Sequence, residues 1–177
     1  MVHFVISSLH LHHIVNSLGG DNLEIIRMQI AYEGFAFYDI GKQVYLSHIN
    51  NLIKNPQEYF YKILPAIVNL SFSIELFLKS FLKDEDGRKL RHDLEKLLRH
   101  WGDLEKTIII NAIVEQMKQY DTDFNEEKFW KYMDRNKFAF EKWRYYYQRG
   151  DHVDITFLYV VATVLNNFAL RFKESGL

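Results

Sequence analysis

The chain has 177 residues and no cysteine, and its 22 Lys and Arg against 23 Asp and Glu leave it close to neutral. That excludes disulfides, iron–sulfur ligation and thiol catalysis, and it argues against a protein that holds nucleic acid through a bulk positive field. The length fits one domain able to bury about 70% of its unfolded surface, while 14 Phe and 11 Tyr exceed the usual needs of such a core, so some aromatic surface is expected to meet a partner subunit.

Residues 1–20 precede the first helix signal, end in Gly19-Gly20 and read as a loosely attached leader. The opening MVHFVISSLHLHHIV has no positive region ahead of its apolar part, so it does not read as a signal peptide. His10, His12 and His13 suggest a metal cluster, but no cysteine or carboxylate supports them and no rigid element holds them. Neither a metal nor any other cofactor is expected.

Residues 21–177 read as a single helical domain. Asp21 followed by Glu24 makes a capping-box start, and Ile25, Met28, Tyr32 and Phe35 recur at helical spacing. The stripe continues with a drift in phase through Tyr38, Tyr45 and Ile49 until Asn55-Pro56 ends the helix. A second helix is predicted from about Pro65 to Lys83, apolar on most sides and therefore central to a bundle. Its sequence, ILPAIVNLSFSIELFLKSFLK from Ile63, carries two charges one turn apart, Glu75 and Lys79, and buried charges need polar partners. The same polar residues make it a poor lipid-facing span, so no membrane association is expected.

A mixed-charge loop leads to a short helix from Asp93 to Trp101, with His92 and Asp93 at its start. A third long segment, Leu104 to Tyr120, is expected to bury Ile108, Ala112, Ile113 and Met117. Aromatic-rich helices cover Glu126 to Asp134 and Lys137 to Gln148, with Asn136 as a cap between them. After Gly150, Asp151 and Asp154 favour the start of a last helix striped by Ile155, Leu158, Ala162, Leu165 and Ala169. With no strand alternation and no repeat, the predicted fold is an all-α bundle of about five main helices.

Three segments in order, SFSIELFLKSFL at Ser71, HDLEKLL at His92 and the aromatic-flanked WRYYY at Trp143, resemble the HEPN superfamily, the higher eukaryote and prokaryote nucleotide-binding helical domains. The likeness covers roughly residues 22–172 in layout. It implies a cytoplasmic homodimer that acts on or binds RNA. Many members are metal-independent ribonucleases of toxin–antitoxin or antiviral defence systems, while others are non-catalytic RNA-binding or assembly domains. On that resemblance Arg144 and His152 are the candidate catalytic pair, with Glu75, Lys79, His92 and Asp93 as a supporting polar network.

The family signature sets its Arg and His closer together than the seven residues that separate Arg144 from His152 here. The chemistry remains sound: a histidine takes the ribose 2′-hydroxyl proton and an arginine fork binds the phosphoryl oxygens. The architectural alternative pairs Arg144 with Glu75 and leaves His152 as a loop residue. Trp143, Tyr145 and Tyr146 suit stacking on unpaired bases or contact with a protein partner, such as an antitoxin. The rival to an RNA enzyme is a non-catalytic adaptor of the same fold.

Overall fold

The computed structural model describes residues 21–51, 56–82, 89–142 and 153–174. All regular structure among them is helical: α1 (Asp21–Asn51), α2 (Pro56–Ser80), α3 (Leu94–Arg99), α4 (Asp103–Met117), α5 (Glu126–Asn136), α6 (Ala139–Lys142) and α7 (Ile155–Glu174). The fold is an all-α bundle.

The central helix is α2, which packs against α1, α7, α3 and α6. It starts at Pro56, nine residues before the predicted Pro65. Pro56 fits a first turn because its missing N–H would have had no helical partner. Pro65 lies inside the helix on an exposed face, and its own carbonyl also accepts from Asn69 Nδ2 at 2.7 Å. Ile63–Ser80 has the length and hydropathy of a membrane span, yet 72% of that window is buried within the protein. It is a core helix.

α1 keeps the predicted stripe at Tyr38 and Tyr45 and departs from it at Tyr32 and Ile49. Its buried residues are Arg27, Ala31, Gly34, Tyr38, Gly41, Tyr45 and His48, alternating by four and three as in a heptad seam. Ile26, Tyr32, Ile40, Leu46 and Ile49 are exposed instead. The seam is built on small residues: a Cβ at Gly34 would lie 2.8 Å from the Phe77 ring, and one at Gly41 would lie 2.9 Å from Leu70 Cγ. These pairings, 34 with 77 and 41 with 70, make α1 and α2 antiparallel. Tyr38 Oη donates to Thr163 Oγ1 at 3.1 Å, since that threonine already donates to the Tyr159 carbonyl, and Tyr45 Oη donates to Thr156 Oγ1 at 3.3 Å. α7 therefore also runs antiparallel to α1, beside α2.

The remaining helices close the ends. α4 buries Ile109, Ile110, Ile113 and Met117, a face rotated from the expected Ile108 and Ala112 side because α7 and α5 cover it from two directions. Phe124, Phe129 and Tyr132 surround Phe157 and seat the first turn of α7. Asn136, predicted as a cap, is fully buried and accepts from the Asp154 N–H at 3.0 Å, while Asp154 itself caps α7 through the Phe157 N–H. Trp101 Nε1 donates to the Leu78 carbonyl at 3.1 Å, satisfying an acceptor at the end of α2.

Lys128 bridges to Asp121 at 2.8 Å across the α4–α5 corner, and this hydrogen bond holds the Asp121 carboxyl below the usual carboxylate range. A depressed folded value means that the bridge contributes fully above the ordinary carboxylate pKa and is lost as pH falls through the lowered one. Lys128→Met is expected to return the Asp121 titration, followed by carboxyl-carbon NMR, towards the ordinary range. An unmoved titration would show that another group sets it.

Candidate functional site

The polar residues singled out in the sequence meet where α2, the turn before α3 and the α5–α6 junction come together. Glu75 lies on the α2 face that turns from α1 towards this junction, and its side chain is 2% exposed. Among the described residues, two groups hold its carboxylate. Lys79 Nζ donates to Oε1 at 2.6 Å, as one turn of helix permits. His92 Nδ1 sits 2.9 Å from Oε1 and 2.8 Å from Oε2, seventeen residues along the chain.

The side chains of Lys79 and His92 are 22% and 39% exposed, so an inward carboxylate holds two groups that reach the surface. A carboxylate that already accepts from an ammonium can only accept from the imidazole, so Nδ1 carries the proton. In the neutral ring this leaves the lone pair on Nε2. No described residue hydrogen-bonds Nε2.

Three local features place the imidazole. Asp93 accepts from the Lys96 N–H at 3.1 Å and caps α3, so it serves the helix start and does not reach Glu75. The Leu94 N–H donates to the Lys137 carbonyl at 3.1 Å, tying the turn to the end of α5. Phe140 on α6 packs against the His92 ring, with centroids 5.5 Å apart, and stacks on Phe72 of α2 at 5.1 Å; Phe72 in turn meets Phe37 of α1 at 4.6 Å. An aromatic row thus crosses the bundle and ends at the histidine. Lys137 beside this turn has its ammonium pKa raised, first by its bond to Asp134 and then by the Asp134, Glu95 and Asp93 charges.

Arg91, which precedes His92, has a φ of 52° and is the one non-glycine residue with positive φ among those described. The left-handed conformation costs an L-residue about 1–2 kcal/mol. Nothing in the sequence marked this position, because arginine carries no left-handed preference. The turn needs it to swing His92 back onto α2 while Asp93 caps α3. Arg91→Gly is therefore expected to raise stability by up to about 1 kcal/mol, the strain relieved less the extra entropy of an unfolded glycine. Urea unfolding reads the change directly. A loss of similar size would show that the Arg91 side chain makes a contact worth more than the strain.

Arg144, His152, Trp143, Tyr145 and Tyr146 lie outside the described residues, as do His10, His12 and His13. Of the six residues assigned from sequence to catalysis and its support, the structure brings together Glu75, Lys79 and His92 and gives Asp93 a separate capping task. The class so defined is an all-α bundle with a buried carboxylate that orients a half-exposed histidine and a lysine. Comparison with protein-family models, with curated proteins and with solved structures finds no match to this chain.

Proposed function

We propose that this chain is a cytoplasmic HEPN-like protein that acts on RNA as a homodimer and cleaves it without a metal. The observation that carries the reading is the Glu75 carboxylate, 2% exposed, holding Lys79 and the half-exposed His92 at one junction of the bundle. A fold that only needed a core would fill this position with a hydrophobe, since replacing buried ion pairs with apolar residues is often neutral or stabilising. Metal-free cleavage requires a base for the ribose 2′-hydroxyl and cations for the phosphoryl charge. The resemblance assigns these tasks to Arg144 and His152, and Lys79 adds a cation.

The test is incubation of purified protein with structured and single-stranded RNA in EDTA. Cyclic-phosphate ends are expected, and Arg144→Ala and His152→Ala should each lower the rate by about a hundredfold or more. Cleavage that persists equally in both variants would remove that pair from the site. Cleavage that stops in EDTA would end the metal-free mechanism.

A second reading is favoured by a separate observation. Ile26, Tyr32, Ile40, Leu46 and Ile49 expose large apolar side chains along α1, which suits a non-catalytic adaptor bound to an antitoxin or another protein. Absence of both cleavage and binding with every RNA tried would favour it.

A further inference from the structure

We propose that His92, oriented by Glu75, is itself a catalytic residue of this site and serves as the general base at Nε2. The inference rests on the RNA reading above and deepens it. Three independent features of the structure converge on this ring. Glu75 accepts from Nδ1 with both oxygens, at 2.8 and 2.9 Å, and so holds the imidazole in the tautomer whose lone pair is on Nε2. The ring is 39% exposed, rests on Phe140 on one side and has no described partner at Nε2. The backbone strain at Arg91 lies in the turn that positions it, and strain of this kind gathers at functional sites.

A histidine kept only for packing needs neither a buried anion behind it nor a second nitrogen that no described residue bonds. The carboxylate–histidine arrangement is the general way to fix a base in its active tautomer and to stabilise the imidazolium once it forms. His92 takes the 2′-hydroxyl proton in place of His152, whose separation from Arg144 departs from the family signature, so on this inference His92→Gln costs more rate than His152→Ala.

The step is a transesterification. Nε2 takes the 2′-hydroxyl proton, the 2′-oxygen forms a bond to phosphorus, and the bond from phosphorus to the 5′-oxygen breaks. The products are a 2′,3′-cyclic phosphate and a 5′-hydroxyl, whose oxygen takes its proton from water, and the imidazolium returns its proton to solvent. Glu75 is a positioning residue. Among the described residues, the charged groups on the elements that meet the ring are Glu75 and Lys79 on α2, Arg91 and Asp93 on its own turn, Lys137 at the end of α5, and the exposed Glu141 on α6.

The experiment measures single-turnover RNA cleavage by the full chain and by His92→Gln, His92→Ala and Glu75→Gln variants, with thermal melts to confirm folding. A 2′-deoxy oligonucleotide that cannot react is titrated in parallel while the His92 ring is followed by NMR. His92→Gln keeps a side-chain hydrogen bond to Glu75, so it should fold normally and lose about 10²–10⁴-fold in rate. Added imidazole should restore part of the rate to His92→Ala, which a structural role would not allow. Glu75→Gln presents a donor as well as an acceptor, so it should loosen the Nδ1–H tautomer seen in nitrogen shifts and displace the acidic limb of the pH–rate profile, where the base must lose its proton. Wild-type cleavage with His92→Gln within threefold of it would overturn this inference and leave the RNA reading standing. Binding of the deoxy oligonucleotide at His92 without any RNA cleavage would overturn the catalytic role and keep an RNA contact. Neither binding nor cleavage would overturn both.

Discussion

Lys79→Met is expected to lower the free energy of unfolding by about 3 kcal/mol, and Glu75→Gln by less than half as much. The asymmetry follows from which partner can reach water. Once Lys79 is gone, the 2%-exposed Glu75 carboxylate keeps, among the described residues, the imidazole alone, and its anionic form has almost no access to solvent. Methionine preserves the apolar stem, so the loss reports charge and not packing. In Glu75→Gln the isosteric amide still bonds both neighbours. Lys79 and His92, 22% and 39% exposed, can turn towards water. For a domain of this size the lysine variant should melt about 6–12 °C lower. Equal losses in the two variants would mean that the pair is solvated and that burial does not govern the site.

The parts of this molecule legible in the sequence are those where chemistry is locally conspicuous. Glu75 and Lys79 stood out because charges inside a continuous apolar run demand partners, and His92 and Asp93 were named because they open a short helix. The central place of α2 was legible for the same reason, as a helix apolar on most sides has to be surrounded. The packing face of α1 was legible only in part: Tyr38 and Tyr45 of the expected stripe lie on it, and Tyr32 and Ile49 do not. Its seam uses Ala31, Gly34 and Gly41, which score as weakly hydrophobic, while Ile26, Ile40 and Ile49 point outward. A stripe drawn through large apolar residues therefore drifts off the seam where small residues let two helices approach closely. The heptad alternation of four and three was the signal that could have found it. The start of α2 was misplaced because two prolines, Pro56 and Pro65, each fit a first turn.

The division of labour between His92 and Asp93 shows a further limit. Adjacent polar residues before a helix read alike in sequence, but the left-handed Arg91 sends one side chain to α2 and leaves the other to cap α3. Phe140 was legible only as one of several aromatics near Arg144. Its packing between Phe72 and His92 makes it the wall that limits ring motion, and that depends on α6 meeting both α2 and the turn. The site is a tertiary product of three segments, each unremarkable alone.

Gly41→Val is expected to destabilise by about 3 kcal/mol, the upper part of the range for overpacking. A Cβ there would lie 2.9 Å from Leu70 Cγ and 3.0 Å from the Leu70 backbone nitrogen. A side chain can rotate away from an intruding methyl group, but a helix backbone moves only with its helix. α2 would have to shift from α1, and the same face of α2 packs the fully buried Ile74 and Phe77 of the core. Gly34 offers the control, since the nearest atoms to its added Cβ belong to the Phe77 ring alone, at 2.8 Å. Gly→Ala at either site gains about 1 kcal/mol of helix propensity, so any net loss measures the clash beyond that gain. The expected order of loss is Gly41→Val, then Gly41→Ala, then Gly34→Ala, read from urea unfolding midpoints. A Gly41→Ala variant stabilised by the full propensity gain would show that α1 and α2 separate freely, and the close glycine seam would then have no role in holding the bundle.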